Sequence, residues 1–273
     1  IVIAICWPFV SGLGNQHSDA QFHAPSAQYW FGTDVHGRDL FGRVLAGARI
    51  SLLVGLVGAL VSLVIGVFWG ATAGLLGGNW DNWMMRTVDI LYSLPSIIFV
   101  IVIITTLEGL IQGWVESIFG GDGSETARHI LLYAGLGAVS WLTMARIVRG
   151  QVLALREQQF VEASRSLGLG TWPILWRHIL PNVFGVVIVY LTLTLPAVVL
   201  YESFLSYLGL GIQPPHASLG SLIAEGAAQI NPVRVYWWMI LFPAGGLAAL
   251  LMALNFIGDG LRDVFDPKST KES

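Results

Sequence analysis

Long apolar runs separated by short polar stretches set the pattern of this chain. Hydrophobic segments at residues 50–76, 88–106, 129–148, 183–205 and 236–257 are each close to the roughly 20 residues an α-helix needs to cross a bilayer. A sixth, residues 1–10 (IVIAICWPFV), is shorter, with no initiator Met and no basic stretch ahead of it. It reads as the outer end of a first span that begins before Ile1. The pattern predicts an all-α, polytopic membrane protein of about six transmembrane helices, the first incomplete, with residues 1–273 forming a single transmembrane domain.

Residues within the runs refine this. Gly66, Gly70 and Gly74 recur every fourth position, which predicts close approach of a neighbouring helix. Pro95 is expected to kink the 88–106 span, and Pro196 lies inside another. Arg86 and Asp89 are expected to pair at i, i+3. Between spans, residues 108–126 place Leu110, Trp114 and Ile118 on one face, predicting a short interfacial helix that serves as a lid or brace. Residues 218–228 predict a short or re-entrant helix in an outer segment, and Tyr236, Trp237 and Trp238 suggest an interfacial aromatic belt. From Gly258 the chain reads as a solvated polar tail, most plainly at residues 268–273.

The longest polar interruption, residues 156–182 (REQQFVEASRSLGLGTWPILWRHILPN), is patterned like a rigid piece. Residues 159–167 contain good helix formers with an apolar stripe of Phe160, Ala163 and Leu167. Gly168 and Gly170 stop that helix. Thr171 is placed to N-cap a second, with Pro173 in its first turn and Pro181 closing it. Ile174, Leu175 and Ile179 supply its apolar side.

Composition narrows the function. The chain is 55% hydrophobic and 11% charged, with mean hydropathy +0.69, far from the soluble average of about 25% charged residues. A net charge of −3 gives no reason to expect nucleic acid. The single cysteine, Cys6, excludes a disulfide framework or a CxxC metal site within the chain. The cluster Thr33, Asp34, His36, Gly37, Arg38, Asp39 is read as a folded outer loop in which Asp34, Arg38 and Asp39 pair, in preference to a metal site, because His17, His23 and His36 share no helical ligand spacing.

A phosphate-binding loop needs glycines followed by Lys and Ser/Thr, and Lys268 and Lys271 lie in no such context. No catalytic residue and no resident cofactor or metal is expected. Ion coupling would call for acids in mid-span, whereas Asp89 and Glu202 fall near span ends. Thr192, Thr194, Tyr201 and Glu202 are weak pathway candidates, since a hydroxyl in a span usually bonds its own helix backbone.

Glu162-Ala163-Ser164, then Gly168 six residues after the glutamate, then Ile179-Leu180-Pro181, resembles the EAA loop of membrane subunits of binding-protein-dependent ABC importers. RHILPN, FGTD-x-x-GRD from Phe31 and GARISL from Gly47 are similar to the dipeptide, oligopeptide and nickel branch. The chain departs from the pattern at Ser164, where alanine is commonest, and in the length of 108–126.

The resemblance implies a type I importer fold with a cytoplasmic coupling loop at 156–182. It implies docking onto an ATPase through Glu162, Ala163, Ser164, Arg165, Gly168, Ile179, Leu180 and Pro181, with Ala163 and Ser164 keeping the docking surface flat and Glu162 offering a charged contact or a cap. Implied partners are a second homologous permease, one or two cytoplasmic P-loop ATPases carrying ATP and Mg2+, an extracytoplasmic solute-binding protein and the lipid bilayer. The implied cargo is di- or oligopeptides or a related small solute, and the implied location the inner membrane of a bacterial or archaeal cell. With the loop and C-terminus cytoplasmic, Arg86, Arg146, Arg149, Arg156, Arg165, Arg177, Arg262, Lys268 and Lys271 fall inside. Arg38, Arg43, Arg49, Arg128 and Arg234 fall outside, a bias of the expected sign. A stand-alone channel or ion-coupled carrier is the competing reading, and it leaves the patterned loop unexplained.

Overall fold

The computed structural model describes residues 19–119, 124–213 and 216–265, so residues 1–10, His17 and the tail at 268–273 lie outside the described residues. In chain order the helices are α1 (Leu40–Leu76), α2 (Gly78–Tyr92), α3 (Ser96–Phe119), α4 (Ser124–Arg156), α5 (Gln159–Ser166), α6 (Thr171–Ile174), a π turn (Leu175–Ile179), α7 (Leu180–Tyr207), α8 (Leu219–Ala228) and α9 (Trp238–Phe265). Five stretches among the described residues are long and apolar enough to cross a membrane: Leu40–Leu76, Ser96–Ile118, Ile130–Arg156, Thr171–Tyr207 and Trp238–Val264. These match the five longer runs of the sequence in order.

Boundaries moved where local chemistry was stronger than the apolar pattern. α1 starts at Leu40 and not near residue 50, because Asp39 caps it: its carboxylate accepts the Gly42 amide at 3.0 Å, and its carbonyl accepts the Arg43 amide. Pro95 does not kink a span. It stands in the break between α2 and α3, where the Ser93 amide closes α2 on the carbonyls of Asp89 and Ile90.

The span after Pro95 therefore extends to Phe119, and residues 108–119 are its second half, not an interfacial helix. Leu110, Trp114 and Ile118 continue an exposed stripe begun by Ile98 and Val102 at the same four-residue interval. Residues from Ser124 already belong to α4. At the other end α9 continues to Phe265, so the solvated tail does not begin at Gly258, which is buried.

The chain divides into two compact units, each made of three segments, and each of the five long helices contributes a stretch to both. The first comprises residues 1–56, 104–132 and 196–254. Its core gathers Leu40, Val44 and Ala48 of α1, Val199 of α7, Leu219 and Leu222 of α8, and Trp238, Met239, Leu250 and Leu254 of α9. The expected aromatic belt is partly core: Trp238 is buried and its indole N–H donates to the Thr33 carbonyl at 3.2 Å, while Tyr236 stacks on Phe22 at 4.2 Å.

The second unit comprises residues 57–103, 133–195 and 255–273. Here the glycine stripe of α1 meets α4. A Cβ on Gly66 would stand 2.6 Å from Cβ of Met144, one on Gly70 would run into the Ala145 backbone, and one on Gly74 would come within 3.0 Å of the Arg149 carbonyl. α2 is pinned to the same helix by charge. Arg149 donates to both carboxylate oxygens of buried Asp81, at 2.6 Å from Nη2, and Arg146 pairs with Asp89 at 2.8 Å. The partner of Asp89 is thus on α4, not Arg86 one turn away, because the carboxylate points across the helix pair.

Candidate functional site

α5 begins after Gln158 and ends in a tight turn at Gly168, whose φ of +82° is left-handed backbone that side chains with a Cβ resist. The Gly168 amide bonds the Arg165 carbonyl, and the Leu169 amide bonds that of Ser164. A Cβ on Gly168 would meet nothing within 4 Å, so the glycine is needed for its dihedral angle and not for packing. Gly170 has ordinary φ and serves as the N-cap of α6, which makes Thr171 the first helical residue and not the cap.

Pro181 does not close the second short helix. α6, the π turn and α7 run on as one stretch, Thr171–Tyr207. Proline at 181 has no amide to donate to residue 177, and the wider turn of Leu175–Ile179, closed by the Leu180 amide on the Leu175 carbonyl, fits where the α ladder would be broken. The second half of the loop is therefore continuous with the long apolar helix that follows it.

Burial sorts the predicted residues into two sets. Val161, Ser164, Ile174, Leu175 and Ile179 face inward, and all but Ser164 join a core with Ala71 and Leu75 of α1 and Met144, Val148 and Val152 of α4. Glu162, Ala163, Arg165, Gly168 and Pro181 face outward, and Leu180 is half-buried against the same core. Ser164 does not form part of a flat outer surface. Its side chain is buried and its hydroxyl donates to the Phe160 carbonyl at 2.8 Å, so a small residue is required there to let α5 lie close to the core.

The outward face carries more apolar surface than the motif alone suggested. Leu167 is 82% exposed and Trp176 61%, with Phe160 and Trp172 also exposed. The stripe Phe160, Ala163, Leu167 was visible as a periodicity, but only the structure shows that it faces away from the core. Beside it lies a cleft of about 500 Å³ bordered by Leu76, Arg156, Glu157, Glu162, Arg165 and Thr171. Arg156 reaches back from the end of α4 to donate to the carbonyls of Gly74 and Leu75, satisfying the C-terminus of α1.

In the other unit the FGTD-x-x-GRD segment forms a charged knot. The Asp34 carboxylate accepts the amides of His36 and Arg38 at 2.8 and 2.9 Å, Nε of Arg38 at 2.7 Å and Nη1 of Arg43 at 2.6 Å. Arg43, itself buried, also grips Glu225 of α8 through both terminal nitrogens. Asp39 does not join the pair expected of it, being occupied as the α1 cap. Burial acts to raise the Asp34 pKa. The Arg38 amide, the Arg43 charge, the His36 amide and the Arg38 side chain outweigh it, holding the carboxyl below its usual range.

A second anchor of α8 was hidden from the sequence. Glu202 is fully buried and accepts hydroxyl protons from Ser206 at 2.6 Å, Ser51 at 2.9 Å and Ser203 at 3.3 Å. Ser51 in turn accepts the Leu219 amide at the start of α8, and Ser206 accepts that of Ile212. Ser218 and Ser221 close a capping box at that end. Serines at 203 and 206 around a glutamate at 202 were the available signal. The serine at 51, far away in sequence, was not.

Residues 62–271 match the family described as the binding-protein-dependent transport system inner membrane component. The chain belongs to this family. Among curated relatives of this inner membrane component, the oligopeptide transport system permease protein OppC of Escherichia coli (strain K12) is 48% identical over 240 residues, covering 88% of this chain and 72% of the relative. The dipeptide transport system permease protein DppC of Bacillus subtilis (strain 168) is 42% identical over 269 residues, covering 98% of this chain and 78% of the relative. A chain of the MetNI methionine ABC transporter, solved in an inward facing conformation, aligns with a TM-score of 0.61 at 21% identity. That alignment covers 83% of this chain and 97% of the other, so the two chains share a fold.

In this multi-pass inner membrane component, two of the hydroxyls considered as pathway candidates are turned to their own helix. Thr192 and Thr194 donate to the carbonyls of Val189 and Tyr190 on their own helix. Glu202 is turned wholly inward.

Proposed function

We propose that this inner membrane component is one of two permease subunits of an ATP-driven importer of di- or oligopeptides, and that residues 156–182 couple it to a cytoplasmic ATPase. The observation that carries this reading is the two-sided build of the loop. Val161, Ile174, Leu175 and Ile179 lock it to α1 and α4, while Phe160, Leu167, Trp172 and Trp176 are left exposed on its outer side. Phe160 and Leu167 lie outside the stretches long and apolar enough to cross a membrane, and a loop that simply stood in water would gain nothing from displaying them. A rigid apolar face continuous with α7 can take up a push from a partner and deliver it to a span.

Glu162 and Arg165, on the rim beside the cleft, give that face polar selectivity. Gly168 sets the angle between α5 and α6. ATP and Mg2+ reside on the ATPases, a second permease completes the pathway, and a solute-binding protein delivers cargo on the opposite side. The loop and C-terminus are cytoplasmic in this arrangement. Peptide cargo follows the relatives named above.

The test is purification of the tagged chain in mild detergent, with co-purifying proteins identified and ATP hydrolysis recorded. A second permease and P-loop ATPases are expected, and the ATPases are expected to be lost from a Glu162→Lys, Gly168→Val double variant. Isolation of a homo-oligomer that moves solute in liposomes without ATP would overturn the proposal.

A further inference from the structure

α2 differs from the long helices in what it displays. Its inward side is fixed to α4 by Asp81, paired with Arg149, and by Val88, packed among Trp141, Leu142 and Ala145. Its exposed residues form two adjacent stripes, one of them ending at Asp89, which pairs with Arg146 of α4. Asn79, Asn82, Arg86 and Asp89 follow one another at helical intervals of three and four, and so do Trp80, Trp83, Thr87 and Ile90. All eight are exposed. Asn82, Trp83, Met85, Arg86 and Asp89 border an open cavity of about 500 Å³, within the 300–1,000 Å³ range usual for ligand sites.

A row of two amides, a guanidinium and a carboxylate on a membrane protein's helix does not sit against lipid tails. Such groups face a partner, the water at the membrane surface or a water-filled path, and the cavity they border favours the last. The position along the bundle is set by chain connectivity. α2 starts two residues after α1 ends, at the end of α1 that the coupling loop packs against and that Arg156 caps. At about 1.5 Å per residue, the cavity lies roughly 6–17 Å from that end.

We propose that this face of α2 is a peptide-contacting station of the translocation path on the coupling-loop side, with Arg86 taking a peptide carboxylate and Asp89 a peptide ammonium. The proposal rests on the peptide-permease reading above. The chemistry fits a zwitterionic chain better than a neutral or singly charged solute. A guanidinium offers two parallel N–H donors to a carboxylate. Asn82 can meet the peptide's own amides, and the Trp83 indole, 74% exposed, offers an apolar surface tolerant of different side chains.

Asp89 is held ready and not consumed by its partner. Its ion pair with Arg146 is 2.8 Å long, with the two side chains 55% and 40% exposed. A pair that open to water is worth little and can be exchanged for a passing ammonium. Arg146 also lies over the Tyr92 ring at 4.1 Å, which keeps it in place when Asp89 turns to the peptide.

The experiment uses the complete complex of both permeases, ATPases and binding protein in liposomes, in a Cys6→Ser background. The probe is a tripeptide carrying a central benzoyl-phenylalanine. During ATP turnover, Asn82→Cys is expected to react with a membrane-impermeant methanethiosulfonate added on the ATPase side, and excess tripeptide is expected to slow the reaction. Irradiation should attach the probe to α2. Arg86→Gln should lower uptake about tenfold with a smaller fall in ATP hydrolysis, so that more ATP is consumed per peptide delivered, and Arg86→Lys should restore part of it. Wild-type uptake by Arg86→Gln, or an Asn82→Cys that forms a disulfide with the second permease and never reacts in the intact complex, would overturn the proposal and make this face a subunit contact. A wild-type complex that imports no peptide would instead overturn the peptide reading on which it stands.

Discussion

Around Asp34, charged side chains are buried and joined to one another; from Phe160 to Trp176, apolar side chains are left exposed. Both regions fix a short helix against long ones, α8 in the first and α5 in the second, but with opposite materials. α8 is held at both ends by satisfied polar contacts, Arg43 to Glu225 and Ser51 to the Leu219 amide, and buries its apolar side as well. α5 is held only by apolar burial and a glycine turn, and turns its remaining hydrophobes outward. Where geometry must stay fixed within one chain, buried ion pairs specify a single arrangement. In the coupling role proposed above, exposed apolar side chains on a packed backing would leave the energy of contact for the complex.

The difference is most severely tested at Asp34. Removing Asp34 leaves buried Arg43 with Glu225 alone and strips the His36 and Arg38 amides of their acceptor, at a cost of up to about 3–5 kcal/mol. Asp34→Ala is expected to lower the thermal unfolding midpoint of the detergent-purified chain more than any substitution on the outer side of α5. The ordering should depend on pH. With its folded pKa lowered, Asp34 contributes fully above the usual carboxylate range and loses its contribution as pH falls through the lowered value. The gap between wild type and Asp34→Asn should therefore be constant near neutrality and close in strong acid. A gap that widens in acid would mean that the carboxylate is not what holds the knot.

Glu202 sharpens the same side. Glu202→Ala leaves the hydroxyls of Ser51, Ser203 and Ser206 without their acceptor in a buried place, at about 1–3 kcal/mol. Glu202→Gln keeps one acceptor oxygen and should recover part of the loss. Limited proteolysis between residues 207 and 219 reads whether α8 has loosened. If α8 stays protected in Glu202→Ala while the midpoint falls, the glutamate stabilises its own helix and does not anchor α8.

How far the two regions could be read in the sequence follows from the range of the forces involved. The loop was legible because its signals are local: a stripe within one helix, a glycine, a three-residue motif. Even there, the inward turn of Ser164 and the passage of the chain through Pro181 depended on a core contributed by α1 and α4. The charged knot was half legible, since Asp34 and Arg38 are neighbours, but Glu225 lies 182 residues from Arg43. Apolar runs located the five long helices. They misplaced starts and breaks wherever a single residue decided the boundary, as the capping carboxylate of Asp39 does for α1 and the ring of Pro95 for α3.

On the coupling side, Gly168→Val should cost about 1–2 kcal/mol, the penalty for a left-handed residue with a Cβ. Because nothing crowds the position, Gly168→Asn should cost less and retain coupling. The measurement is the ratio of ATP hydrolysed to peptide imported in the reconstituted complex. It should rise for Val while membrane insertion is normal, and normal uptake in that variant would remove the turn from the coupling path.

The smallest effect on the isolated chain belongs to Leu167, and it separates the two regions most cleanly. At 82% exposure its side chain contributes little to folding, so Leu167→Ala should shift stability by no more than about 0.5 kcal/mol. In the complex the same side chain is expected to be covered, where burying a leucine is worth about 1.5–3 kcal/mol. Association with the ATPase should therefore weaken about tenfold or more, since each 1.4 kcal/mol is a factor of ten. Val161→Ala, on the buried face of the same helix, should do the reverse and lower the unfolding midpoint first. Titrating purified ATPase against both variants, with thermal unfolding followed in parallel, places each residue on one axis or the other. Equal losses on both axes for Leu167→Ala would mean that α5 does not present a face reserved for a partner.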